Sequence, residues 1–202
     1  KGKMFRPTLL LLANAVEERR DPRATTLAAA LELIHLGTLV HDDAVDHSVL
    51  RRGMPTVNAL FSHQISVIMG DFMYTRALRE LVRVGDMEIM RVITQASNDM
   101  TLGEMRQLAA FDKLGFTEDD YDLLIKAKTA SLMGAAAEVG ALVGAPRHRE
   151  ALGRFGLRLG MAFQIVDDLL DYTATADVAG KPAGLDLREH KVTIPLIAAL
   201  RE

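Results

Sequence analysis

Three carboxylates close the apolar run Leu39-Val40-His41-Asp42-Asp43-Ala44-Val45-Asp46. On a helix, the spacings Asp42 to Asp46 and Asp43 to Asp46 both place side chains on one face. Like charges crowded there repel, and near a core each also loses hydration. A chain keeps such a cluster when a cation cancels it, and oxygen-only donors suit Mg2+. The same offsets recur in Phe163-Gln164-Ile165-Val166-Asp167-Asp168-Leu169-Leu170-Asp171, again in apolar surroundings. One acidic triplet alone reads more readily as a solvated helix end, because charged residues normally sit outside. Two copies in apolar context turn the reading to metal, given the cost of buried unpaired charge. They predict one site lined from opposite walls.

Carboxylate-bound Mg2+ completes its coordination with water and substrate phosphate. A diphosphate would also need cations, and the chain supplies them near both clusters. Arg51-Arg52 follows the first; Gly2-Lys3 and Arg6 lie at the start; Lys128-Thr129 falls within a predicted helix; Lys181 and Lys191 flank the second. Singly, each is an ordinary surface charge. Together they describe a basic rim around an acidic metal site, suited to a departing pyrophosphate.

The elements that must hold these residues are helical. Ala, Leu, Met, Glu and Arg dominate, and period-2 alternation is scarce. A first helix is predicted from Thr8 to about Arg19, after Pro7. A second runs from about Arg23 to Asp46 behind Asp21-Pro22. Its acidic cluster sits at the C-terminal end, where the helix dipole disfavours anions, a further argument for a bound cation. Gly53-Met54-Pro55 breaks the chain, and Thr56 is placed to cap a helix over Val57 to Val84. Asp86 opens the next, to about Ala110; Phe111 to Phe116 reads as a loop. Thr117-Glu118-Asp119-Asp120 starts a helix reaching about Val143, ended by Gly144-Ala145-Pro146. Arg149 to about Tyr172 carries the second cluster. Thr173 to His190 has a mobile-loop composition, and Lys191 onward is helical again.

The 202 residues read as one all-α domain, expected to be incomplete at both ends. Cys is absent, so disulfides are excluded and a cytoplasmic setting is expected. A formal charge of −3 gives no nucleic-acid footprint. No apolar run reads as a membrane span. The paired acidic motifs reflect either internal pseudo-symmetry or convergence on one ligand geometry.

In this order the motifs resemble those of the trans-isoprenyl diphosphate synthases, the polyprenyl synthetase family, over essentially the whole chain. Gly2-Lys3-Met4-Phe5-Arg6-Pro7 is similar to a GKRxRP box. Glu32-Leu33-Ile34-His35 precedes the first aspartate motif and Arg51-Arg52-Gly53-Met54-Pro55-Thr56 follows it. Gly70-Asp71, Gly103-Glu104 with Gln107, Lys128-Thr129-Ala130, Phe163-Gln164, Gly180-Lys181, and Asp186 with Lys191-Val192-Thr193 complete the series. Two positions depart from the pattern: Met4 stands where Arg is usual, and His190 where Gly is common.

The resemblance implies a helical bundle around a deep central cavity and a head-to-tail prenyltransferase. Asp42, Asp43, Asp46, Asp167 and Asp168 would bind a trinuclear Mg2+ cluster, with Asp171 in support. Arg51, Lys128 and Lys191, with Lys181 close by, would contact the allylic diphosphate. Gly2, Lys3, Arg6, His35 and Arg52 would hold that of isopentenyl diphosphate. From spacing alone His35 reads as a structural histidine; the resemblance turns it to substrate. Thr129 and Gln164 would face the developing allylic cation. A homodimer is the family expectation.

Gly37 and Thr38 lie one helical turn below the site, where short-product family members often carry an aromatic. A turn is about 5.4 Å, close to one isoprene unit, so a small floor admits further units, with Ile34 and Leu31 the next stop. The expected product is longer than geranylgeranyl diphosphate. The equal alternative is that Gly37 lets two helices approach. A geranylgeranyl or farnesyl synthase, a non-catalytic subunit of a heteromeric synthase, a terpene cyclase and a plain structural bundle are the competing readings. Retention of both aspartate motifs and the basic set argues against the last three.

Overall fold

The computed structural model describes residues 4–18, 20–51, 53–109, 115–173, 184–188 and 190–201. Helix α1 (Phe5–Asn14) is followed by α2 (Arg23–Val45), a two-residue-per-strand hairpin (Leu50–Arg51 and Met54–Pro55), a short α3 (Val57–Leu60), α4 (His63–Val84) and α5 (Met87–Ala109). Then come α6 (Glu118–Ile125), a π-helical segment (Lys126–Ala130), α7 (Ser131–Gly144), a 3-10 turn (Pro146–His148), α8 (Arg149–Thr173), α9 (Leu185–Arg188) and α10 (Ile194–Ala199). The described residues are thus almost wholly helical, as the composition predicts.

Local chemistry explains most boundaries. The Thr56 and Ser62 hydroxyls accept from Ala59 and Ile65 backbone N–H groups, and Asp86 Oδ1 accepts from Glu88 and Ile89. Thr117 and Asp120 form a reciprocal capping box. Ser62 therefore splits the single helix expected over Val57 to Val84 into α3 and α4. The first helix begins at Phe5 rather than Thr8. Pro7 fits inside the opening turn because N–H groups there lack intrahelical acceptors anyway. Two expectations are refined, the second only over residues 184–188, since most of the stretch 173–190 lies outside the described residues. The stretch from Thr117 to Val143 is not uniformly α-helical, because the π segment interrupts it. The residues after the second acidic cluster include a helical turn, α9.

Helix α7 is the axis of the bundle. Its sequence, SLMGAAAEVGALVG, is almost all small or apolar, and it packs against α1, α2, α5 and α8. A Cβ on Gly140 would lie 2.2 Å from Leu10 O, so only glycine allows α1 this close. Gly160 plays the same part between α8 and the π segment, where a Cβ would lie 2.5 Å from Ala130 Cα. Leu10, Leu27, Leu31, Ile34, Ile93, Leu132 and Val139 are fully buried around α7. Each contributes roughly 1.5–3 kcal/mol of hydrophobic stabilisation. A smaller cluster of Tyr121, Ile125 and Ile197 joins α6 to α10, with Phe116, Met161, Val192 and Ile194 packed on it.

Helix α2 corrects one expectation. It is long and apolar enough to cross a membrane by length and composition. In this fold its apolar residues Leu27, Leu31 and Ile34 face the bundle interior, as in a core helix.

Candidate active site

The first acidic turn lies where α2 ends. Asp43 is buried, and the Nε of Arg51 donates to both of its carboxylate oxygens, at 2.8 and 3.0 Å. The hairpin makes this pair possible: Ser48 N donates to Asp43 O, and the Thr56 hydroxyl donates to Ser48 O, folding Arg51 back over the helix end. Asp42 is half-buried and Asp46 exposed. Burial pushes the Asp42 carboxyl up to about 6; Lys128 and Arg51 oppose the rise, and Glu104 and Asp46 add to it.

The last turn of α2 is anchored by His41. Its Nε2 lies 2.9 Å from Val67 O and 3.3 Å from Asp71 Oδ1, both on α4. The carbonyl can only accept, so Nε2 donates to it. A Cβ on Gly70 would lie 2.3 Å from that nitrogen, so the glycine makes room for the ring.

The π segment joins the two acidic walls. Lys128 forms an ion pair with Glu104 and donates to Gln107 Oε1 at 2.9 Å, both on α5. Its neighbour Thr129 turns to α8 and donates to Gln164 Oε1 at 2.8 Å. Gln164 Nε2 donates to Asp168 Oδ1 at 2.7 Å, and the Tyr121 hydroxyl donates to Asp168 Oδ2 at 2.6 Å. Burial, with Asp168 beside it, holds the Tyr121 phenol far above its ordinary range, so the hydroxyl stays a donor. Thr129, Asp168 and Tyr121 are all buried.

The second triplet divides by burial. Asp167 is exposed, Asp168 is buried, and Asp171 is 1% exposed. Asp171 Oδ2 accepts from Asp186 N at 2.9 Å, and its carbonyl accepts from Gly184 N, so it organises the segment leading to Lys191. Lys191 is half-buried, its N–H donating to Asp186 O.

At the other end, Arg6 Nη1 lies 3.0 Å from His35 Nε2. The guanidinium can only donate, so His35 accepts there and carries its proton on Nδ1. Burial brings Arg6 down to about 10, opposed by Glu32. Its Nε is buried with no hydrogen-bond partner among the described residues.

Gly2, Lys3, Arg52 and Lys181 lie outside the described residues. Of the chain-length positions, Ile34 is fully buried in the core, and Thr38 donates to His35 O at 2.8 Å. A Cβ on Gly37 would meet Gly70 O at 3.1 Å and Met73 Cβ at 3.6 Å, a close contact between α2 and α4 that agrees with the helix-approach alternative. A groove of about 820 Å3 between α5, the π segment, α7 and α8 contains none of the predicted site residues.

Among the described residues, no three acidic or histidine side chains already converge closely enough to hold an ion. The donor set nevertheless fits a hard divalent cation, being all carboxylate oxygen, with Asp42 disfavoured as an anion by its burial.

The polyprenyl synthetase family model matches residues 1–202. The chain belongs to the polyprenyl synthetase family. It is 46% identical over 202 residues to the all-trans-nonaprenyl-diphosphate synthase (geranyl-diphosphate specific) of Rhodobacter capsulatus, covering 99% of this chain and 62% of that protein. It is 42% identical over 201 residues to the octaprenyl diphosphate synthase of Escherichia coli, covering 98% and 62%. A polyprenyl synthase from Caulobacter crescentus, solved with calcium and isoprenyl diphosphate, superposes with a TM-score of 0.94 at 39% identity, covering all of this chain and 62% of that one. The chain thus spans about 62% of the length of these relatives.

The sequence alone assigns no role to Tyr121 or His41, and none to Glu104 and Gln107 beyond their place in a motif. Tyr121 carries no local signal, since its partner Asp168 lies 47 residues downstream. His41 was legible only as a neighbour of the acidic turn.

Proposed function

We propose that this chain carries the active site of a Mg2+-dependent prenyltransferase. It condenses isopentenyl diphosphate with an allylic prenyl diphosphate in trans and releases pyrophosphate. The observation that carries this reading is the π segment, which sets Lys128 toward the first acidic turn and Thr129 onto the Gln164–Asp168 pair of the second.

Asp42, Asp43, Asp46, Asp167 and Asp168 would hold a trinuclear Mg2+ cluster, with Asp171 organising the adjoining segment. When bound, Mg2+ supplies charge neutralisation that makes the diphosphate a better leaving group. Lys128, Arg51, Lys191 and Lys181 grip that diphosphate. Arg51 and Lys128 are held meanwhile by Asp43 and Glu104 and exchange these partners for phosphate oxygen. Arg6, His35, Gly2, Lys3 and Arg52 hold isopentenyl diphosphate; a buried guanidinium with a bare Nε supports an anion there. Thr129 and Gln164 present oxygen to the allylic carbon as its bond to diphosphate breaks. The isopentenyl double bond then forms the new carbon–carbon bond, and a proton leaves to the released pyrophosphate. Apolar walls keep water from the cation.

The product is longer than geranylgeranyl diphosphate. Support comes from relatives named for octaprenyl and nonaprenyl products. The setting proposed is the cytoplasm. The chain also works as a homodimer: Ile65, Ile68 and Phe72 form an exposed stripe along one face of α4, suited to a self-complementary interface. Sedimentation equilibrium should give a dimer, and Phe72→Asp should shift it toward monomer.

The deciding experiment incubates the protein with isopentenyl diphosphate, several allylic primers and Mg2+, with and without EDTA, and separates the products by chromatography. EDTA-sensitive prenyl diphosphates beyond twenty carbons are expected. No condensation product would overturn the enzyme reading, and farnesyl diphosphate as sole product the chain-length reading.

A further inference from the structure

We infer that Tyr121 is a positioning residue for this reaction, its hydroxyl orienting the Asp168 carboxylate for metal; the inference rests on the prenyltransferase reading above. Tyr121 is 1% exposed. Its ring packs with Ile125 and Ile197, against Met161, Val192 and Ile194, a role phenylalanine would fill as well. What tyrosine adds is one O–H, and that O–H is 2.6 Å from Asp168 Oδ2.

A carboxylate on one side chain can rotate about its last bond, and one donor leaves that rotation soft. Asp168 has two donors from different elements. Gln164 Nε2, one turn earlier on α8, takes Oδ1; Tyr121, on α6, takes Oδ2. Together they set the carboxylate plane. Hydrogen bonds of this kind fix the plane of a carboxylate that can also ligate a cation. Asp167, beside it, is exposed. Asp168 is therefore the pre-oriented ligand of its cluster.

The same hydroxyl acts beyond Asp168. Gln164 is held with Nε2 on Asp168 and Oε1 toward Thr129. The chain Tyr121–Asp168–Gln164–Thr129 joins the metal wall to the pair facing the allylic carbon. The cluster that contains the Tyr121 ring meanwhile has Val192 and Ile194, next to Lys191, packed against it. Ring and hydroxyl thus have separable tasks: the ring seats the Lys191 segment, and the hydroxyl orients Asp168.

Tyr121→Phe separates them. Mn2+ affinity, read by electron paramagnetic resonance without substrate, should weaken about 10–100-fold. The Mg2+ concentration for half-maximal rate should rise in parallel, with KM for isopentenyl diphosphate unchanged and kcat largely restored by excess Mg2+. Mn2+ binding in Tyr121→Phe equal to or tighter than wild type would overturn the inference while leaving the prenyltransferase reading standing. Wild type that neither binds Mn2+ nor makes product would sink both. A second measurement needs no variant. With three tyrosines in the chain, the ring-carbon NMR signal of Tyr121 can be followed during Mg2+ titration. It should keep its hydrogen-bonded shift, and movement to the position of a water-exposed phenol would overturn the inference.

Discussion

Asp42 sets the pH behaviour of the metal-free protein. Its carboxyl stands near 6 in the fold, raised by burial from about 3.8 unfolded. Between those values the native state binds more protons than the unfolded chain, so this group's contribution falls as pH rises from about 4 to 6. The loss is of order 1–3 kcal/mol, complete above the folded value. Asp42→Asn removes an ionisation the fold opposes. Urea unfolding of metal-free protein at pH 7.5 should show the variant more stable by about 1–2 kcal/mol, with the difference vanishing near pH 4. The same variant should lose prenyl transfer. His190 shows a residue-scale departure with a visible cause. It adopts φ 57°, the left-handed region where glycine costs least, in keeping with the glycine common at that position in the resemblance.

At the scale of elements, the π segment decides what the acidic helices can do together. Apolar periodicity and capping chemistry made the helices readable: Thr117, Asp86 and Thr56 announce their own N-termini. Nothing local announces the widened turn at Lys126–Ala130. It is set by what lies on either side, α5 with Glu104 and Gln107, and α8 with Gln164. Deleting Ala127 would restore a regular α turn by removing the one extra residue of the wide turn, leaving α6 in phase with α7 but changing how Lys128 and Thr129 are presented. Far-ultraviolet circular dichroism should retain its helical signal. Prenyl transfer should fall by more than about 100-fold, because without the wide turn Lys128 and Thr129 no longer reach α5 and α8 together. Retained activity would mean that the wide turn is incidental.

At the scale of the molecule, the bundle holds cations on its own carboxylates: Arg51 on Asp43, Lys128 on Glu104. Under the proposed function, metal and diphosphate replace these contacts and bind only the folded chain. At about 100 times Kd, such a ligand adds about 2.7 kcal/mol to stability. Differential scanning fluorimetry should therefore show a rise in Tm of roughly 5–10 °C with Mg2+ and inorganic pyrophosphate together. EDTA should cancel it.

The helices, the acidic triplets and the cationic residues around them were present in the linear order, because helical periodicity and like-charge crowding are short-range properties of a chain. The partners of those charges were not. Gly37 admitted two readings, a small floor or a helix approach, and only the packed structure shows that a Cβ there would meet α4. Tyr121 carried no signal in the sequence and holds Asp168 through its hydroxyl. A close helix crossing and a hydrogen bond spanning 47 residues depend on how helices stack in three dimensions. Only the packed bundle around α7 settles which faces meet.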